Sequence, residues 1–248
     1  RRDLLFWGGS LNIPFGEESK WGKAFFTIFD LMNTTNTHLV TEGGGLVVYP
    51  VRTQEVNFVE LFGEIYFQQG TYARNATATG EDIDQEEAFA VNLGGKLKTQ
   101  KLGAWEFVPY VEASYVEVTG DDDSTDDENQ NFVSLENNNR TLIVENGYYG
   151  YDIDTNYRGV RLAGGFDVKK FHFEILYAFF ELQDNSGGRV AGGASSSPKL
   201  GDEIDLTLGY EYSENLKLQF QTGWLTGSRA LGDESATIIS LFSVLLDF

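Results

Sequence analysis

The sequence predicts an all-β chain: a transmembrane antiparallel up-and-down β-barrel with ten or eleven strands in this chain. Three observations carry that reading. Apolar and polar residues alternate with a period of two over runs of about ten residues, longer than an ordinary globular strand and the length that crosses a bilayer at a tilt. The connections between these runs are alternately short and long, as in barrels that keep their long loops on the outer side. The last such run, Ala236 to Phe248, alternates Ile238, Ser240, Phe242, Val244 and Leu246 and stops on an aromatic, the usual finish of an outer-membrane barrel.

The strands are justified in chain order. Residues 4–15, 23–32 and 38–50 read as strands with a weaker pattern. Val59, Leu61, Ile65 and Phe67 then alternate with Glu60, Glu64, Tyr66 and Gln68. Phe89, Val91, Leu93 and Leu97 alternate with Ala90, Asn92, Lys96 and Lys98. Val111, Ala113 and Tyr115 alternate with Tyr110, Glu112 and Ser114, and Glu117 breaks the phase, marking a bulge or the rim. Val160, Leu162, Phe166 and Val168 form one face of the next strand. Phe171, Phe173, Ile175, Tyr177 and Phe179 form a face of its partner across Lys169-Lys170. Ile204, Leu206, Leu208, Tyr210 and Tyr212 oppose Glu203, Asp205, Thr207, Gly209 and Glu211, and Leu216, Leu218, Phe220 and Trp224 oppose Lys217, Gln219 and Gln221. The short connections are 50–55, 98–103, 169–170 and 213–215; the long ones are 70–85, 120–155, 184–201 and 225–235. Every long one falls on the same side.

Composition agrees. One domain over 1–248 is expected. The net charge is −20, aromatics make up 14%, and there are 28 Gly, 4 Pro and no Cys, with a mean hydropathy of −0.27. This profile looks soluble. A barrel has it too, because only alternate residues meet lipid and the outer loops are often acidic. The charge balance excludes nucleic acid as a partner. Arg1-Arg2-Asp3-Leu4-Leu5 has neither the apolar core nor the cleavage site of a secretory leader, so a start upstream of Arg1 is expected.

Parity assigns Glu60, Glu64, Lys96, Glu112, Arg161, Glu174, Glu203, Asp205, Lys217, Gln219 and Gln221 to the lumen. Acids outnumber bases there, which predicts preference for cations over anions. Lys96, Arg161 and Lys217 are the bases available to pair with those acids. The run Asp121, Asp122, Asp123, Asp126 offers hard oxygen ligands for calcium in an outer loop, although it lacks the glycine and terminal glutamate of an EF-hand. A solvated loop is the plainer reading. No other cofactor is expected, nor is an enzyme: there are two His, His38 and His172, and no phosphate-binding loop.

Several stretches resemble the C-terminal region of the bacterial alginate-export family of outer-membrane barrels. They are Gly63 to Gly70, Val108 to Tyr115 followed by Thr119-Gly120-Asp121-Asp122-Asp123, Tyr148-Tyr149-Gly150, Asn156 to Leu162, and Leu200 to Tyr210 with Asn215-Leu216 and Thr226-Gly227. They span roughly residues 55–248, in order. The resemblance implies a larger barrel of about eighteen strands that exports an anionic polysaccharide from a Gram-negative cell. It also implies contact with membrane lipids, lipopolysaccharide and the outer-membrane assembly machinery. The acidic lumen departs from that family where cargo is decided, so a neutral sugar, a cation or another small polar solute stays open. The alternative is a small ten-strand barrel with a structural, adhesive or rim-located hydrolase role; the last would need Asp and His at the rim, where His38 is expected.

Overall fold

A computed structural model of the chain describes residues 4–16, 21–33, 37–52, 57–73, 82–99, 102, 106–122, 128–134, 140–184, 197–231 and 235–246. They form one sheet. Its long strands are β1 (Leu4–Phe15), β2 (Gly22–Asn33), β3 (His38–Arg52), β4 (Asn57–Ala73), β5 (Asp82–Lys98), β6 (Phe107–Val118), β8 (Tyr157–Val168), β9 (Phe171–Glu181), β10 (Lys199–Ser213), β11 (Leu216–Thr226) and β12 (Thr237–Leu246). Each pairs antiparallel with the next, and β7 (Glu128–Asn129) lies parallel to β5 off the main path. The result is a meander of hairpins.

The sheet is all-β and antiparallel, as the alternation predicts, but it is not closed into a barrel. Its edges are β1 and β12. The main path holds an odd number of strands, so these edges run in the same direction. Pairing them would make a parallel seam in an otherwise antiparallel sheet. Closure that stays antiparallel requires an odd number of further strands between them.

The register sorts the side chains as parity requires. One row across the sheet reads Ala113, Leu162, Tyr177, Ile204, Trp224, Ile238; the row two residues further along reads Val111, Gly164, Ile175, Leu206, Thr222, Ser240. This outward face is exposed and apolar: Leu162 is 49% accessible, Ile175 48% and Phe242 69%. Soluble monomers rarely expose an apolar patch this broad. The two hydroxyls in the second row satisfy each other, Thr222 Oγ1 lying 2.9 Å from Ser240 Oγ. Along β9 the apolar set runs from Phe171 to Phe179, about 26 Å at the usual strand rise.

Glu117 does not mark a bulge. The β5–β6 register is unbroken from Ala90↔Val118 to Lys98↔Tyr110, and Glu117 keeps its outward phase. It sits at the end of the strand and accepts the Tyr115 hydroxyl at 2.7 Å, beside Arg158, which is paired with Glu181 at 2.6 Å. These charges stand where the apolar band ends. The register shifts fall elsewhere, at Gln68/Gly70, Val48/Val51, Val51/Arg52, Lys199/Gly201 and Glu211/Ser213.

Connections 16–21, 53–56, 99–106, 169–170 and 214–215 lie at one end of the sheet, and 34–37, 74–81, 119–156, 182–198 and 227–236 at the other. Each connection named from sequence falls at its expected end, but length does not sort them all: 99–106 at the short-turn end has eight residues, as 74–81 has at the other, and 34–37 is short on the long side.

Candidate functional site

The inner face is not an open wall. The long connection after β6 turns back over it, and the side chains of the strands hold it there. Gln85 donates to the Asn131 carbonyl at 2.8 Å. The Gln68 amide brackets Val133, accepting its N–H at 2.9 Å and donating to its carbonyl at 3.2 Å. Both glutamines are buried, so their amides give partners to backbone groups of this stretch beside the Phe132 N–H, which donates to the Thr119 carbonyl at 3.3 Å.

Further on, Thr141 to Glu145 is buried against β8–β11. Leu142, Ile143 and Val144 join Leu176, Phe180, Leu200 and Leu225 in the apolar core. Their N–H groups face two carboxylates of β10. Leu142 N donates to Asp205 Oδ2 at 2.9 Å, and Ile143 N and Val144 N donate to Glu203 Oε1 and Oε2 at 2.5 and 2.9 Å. Gly223 makes room: a Cβ there would lie 2.4 Å from Asp205 Oδ1 and 3.3 Å from the Leu142 Cβ.

Glu145 ends the buried run. It pairs with Arg161 of β8 and accepts the Tyr157 hydroxyl at 3.1 Å. Burial pushes its carboxyl above the usual range against the pull of Arg161 and Tyr157. Asp154, on the same segment, is also pushed up, first by burial and then by the charge of Asp152. At the other end of the run, Arg140 grips Glu174 with both nitrogens at 2.8 and 3.0 Å and reaches Glu112 at 3.6 Å. Tyr110 donates to the same Glu174 at 2.6 Å, and Lys96 pairs with Glu112 at 3.3 Å. Burial alone would lower the Arg140 pKa, but the Glu174 and Glu112 carboxylates raise it above its ordinary value. One ladder of charges thus ties β5, β6 and β9 to the segment.

All eleven residues assigned to the lumen lie on this face by register: Glu60, Glu64, Lys96, Glu112, Arg161, Glu174, Glu203, Asp205, Lys217, Gln219 and Gln221. Three of them do not line free space. Arg161, Glu203 and Asp205 are buried under the segment and hold it. Alternation gave their side of the sheet and could not give their cover. Arg140 was missed, although it is the one cation between the acidic run and the apolar triplet Leu142-Ile143-Val144.

Of the suggested calcium ligands, Asp123 and Asp126 lie outside the described residues. Asp121 accepts the Gln130 N–H at 3.5 Å, and Asp122 is exposed. Among the described residues no three acid or histidine side chains converge to hold a metal ion. His38 Nε2 sits 3.0 Å from Asp30 Oδ1 at the long-loop end. By register both lie on the outward face, opposite to the one that carries the eleven assigned residues.

No protein-family model matches the chain, and no curated protein matches it significantly.

Between the segment and the inner face of β1–β6 runs a cleft of about 740 Å³, walled by Phe6, Phe29, Tyr66 and Phe132 and carrying Glu64 and Asp154. The raised carboxyls of Glu145 and Asp154 bind a proton more tightly with the segment seated than with it free. Seating is therefore firmest below the ordinary carboxylate range and weakens as pH rises through the raised values. Limited proteolysis within 119–156 is expected to become faster as pH is raised from the ordinary carboxylate range. Equal rates, with cleavage by the same protease corrected for its own pH profile, would contradict this.

Proposed function

We propose that these strands form part of the wall of an outer-membrane β-barrel that serves as a passive channel or exporter for a polymer or a small polar solute. The observation that carries the reading is the division of the sheet into an exposed apolar outward face and a charged inner face over consecutive strands. Lipid cannot hydrogen-bond a backbone, so a spanning sheet must pair every strand and close. Further strands between β1 and β12 would do this, which suits the resemblance to the larger alginate-export barrels. Contact with membrane lipids, lipopolysaccharide and the assembly machinery follows from the same reading. The segment 140–157, seated inside, would narrow the lumen.

The inner face sets the selectivity. Of the assigned residues not buried under the segment, the acids Glu60, Glu64, Glu112 and Glu174 exceed the bases Lys96 and Lys217, and the segment adds Arg140. A wall of one sign raises the barrier for ions of that sign. In planar bilayers a salt gradient is expected to give a reversal potential of the sign that marks cation preference. Anion selectivity would overturn the charge assignment. A protein that stays monodisperse without detergent and gives no conductance would overturn the membrane reading itself.

A further inference from the structure

The cleft beside the seated segment carries two carboxylates, Glu64 and Asp154, and no cation among the described residues. Its polar wall centres on Glu64, whose Oε1 accepts the Asn92 amide at 2.8 Å and whose Oε2 accepts the Tyr66 hydroxyl at 3.2 Å. A carboxylate only accepts, so Asn92 turns its nitrogen to Glu64, and its own oxygen is buried without a hydrogen-bond partner. Tyr157, also on the wall, gives its hydrogen to Glu145. Asp154 contributes a second carboxylate. One N–H of the Asn92 amide and the hydrogens of both phenols are thus committed to carboxylates, and no Lys or Arg lines the cleft among the described residues. Thr41 and Ser134 add hydroxyls, of which Thr41 Oγ1 already accepts from Gln68 at 2.8 Å. Around these acceptors stand flat apolar surfaces: the stacked pair Phe6–Phe29, with centroids 5.4 Å apart, and Phe132.

We propose that this cleft is a saccharide subsite of the lumen, selective for sugars that carry hydroxyl or ammonium donors and no carboxylate. It rests on the channel reading and names its cargo class. The volume suits a few sugar rings, since ligand sites commonly run from about 300 to 1,000 Å³. Aromatic faces cover the apolar faces of a ring, and Glu64 and Asp154 take its donors through charge-assisted bonds. A uronate brings a second negative charge against those carboxylates, with no cation in the cleft to offset it. The cargo class is thus the opposite of the one that the family resemblance implies.

The test uses three linear tetrasaccharides of equal length: a glucosamine oligomer, a malto-oligomer and a galacturonate oligomer. Binding to the full chain in detergent is measured by equilibrium dialysis, and current block is measured in planar bilayers. The glucosamine and malto-oligomers are expected to bind, the galacturonate oligomer at least about tenfold more weakly. Glu64→Gln is expected to weaken the glucosamine oligomer by about tenfold, the loss of one charge-assisted bond. Glu64→Lys is expected to invert the order. Heat-modifiable migration on gels verifies that both variants fold. Galacturonate binding as tight as the other two, or no binding by any, overturns the subsite. Binding in detergent without conductance overturns the pore and leaves the subsite standing; conductance without binding or block does the reverse.

Discussion

Replacing Leu206 by Arg is expected to destabilise the protein folded in lipid vesicles by ~2–4 kcal/mol, the cost of a cation on the lipid face near the bilayer midplane. Leu206 stands in the middle row of the outward face, opposite Ile175 on one side and Thr222 on the other, with apolar rows above and below. Among the described residues its row holds no acid to pair with a guanidinium, which must drag water or headgroups inward. Phe220→Arg, one row nearer the short-turn end, is expected to cost nearly as much. Gln219→Arg is the control. It is the neighbouring residue on the same strand but faces inward, opposite Gly209 and Ser243, where a long polar side chain has room; a change under about 1 kcal/mol is expected. Urea unfolding from vesicles, followed by tryptophan fluorescence, gives all three values. If Leu206→Arg and Gln219→Arg cost the same, the outward face does not meet hydrocarbon, and the membrane reading fails with it.

That one-residue contrast also shows what was legible in the chain. Period-2 alternation specifies a face wherever the two faces meet different surroundings, because a slip of one residue exchanges every side chain. Ile204 to Tyr212 and Phe171 to Phe179 are therefore placed correctly from sequence alone. So is the side taken by all the acids and bases of the inner face. Closure was not legible: alternation records what a strand faces and not whether the sheet closes. The odd path from β1 to β12 is visible only in the pairing. The seated segment escaped for a different reason. Asp121 to Asn129 is so acidic that the whole connection reads as a solvated outer loop, and three apolar residues, Leu142-Ile143-Val144, are too few to form a periodic pattern. What seats them is the supply of acceptors on β10, and Glu203 and Asp205 look, in sequence, like ordinary lumen acids. The same ambiguity hides Arg161. A base on a lumen face announces a charge, not whether it meets solvent or a buried glutamate.

Arg161→Met is accordingly expected to act on the segment and not on the wall. Arg161 is the buried cation paired to Glu145, and both side chains are almost fully covered. Removing one partner of such a pair leaves the other charge desolvated, which costs about 3–5 kcal/mol. The strand itself remains paired along its length to β6 and β9, so the cheapest response is for Glu145 to leave, taking Leu142 to Val144 off Glu203 and Asp205. Faster proteolysis within 119–156 and a larger single-channel conductance should appear together, with the unfolding of the strands little changed. Glu145→Gln on top of Arg161→Met removes the stranded charge and keeps the acceptor for Tyr157. The double variant is therefore expected to recover much of the lost seating, a positive coupling in the cycle. If Arg161→Met alone leaves both proteolysis and conductance at the wild-type level, the ion pair does not hold the segment. The apolar triplet and the β10 carboxylates would then have to do so unaided. If conductance rises and the double variant fails to restore it, Arg161 shapes the lumen directly and its pairing with Glu145 is incidental.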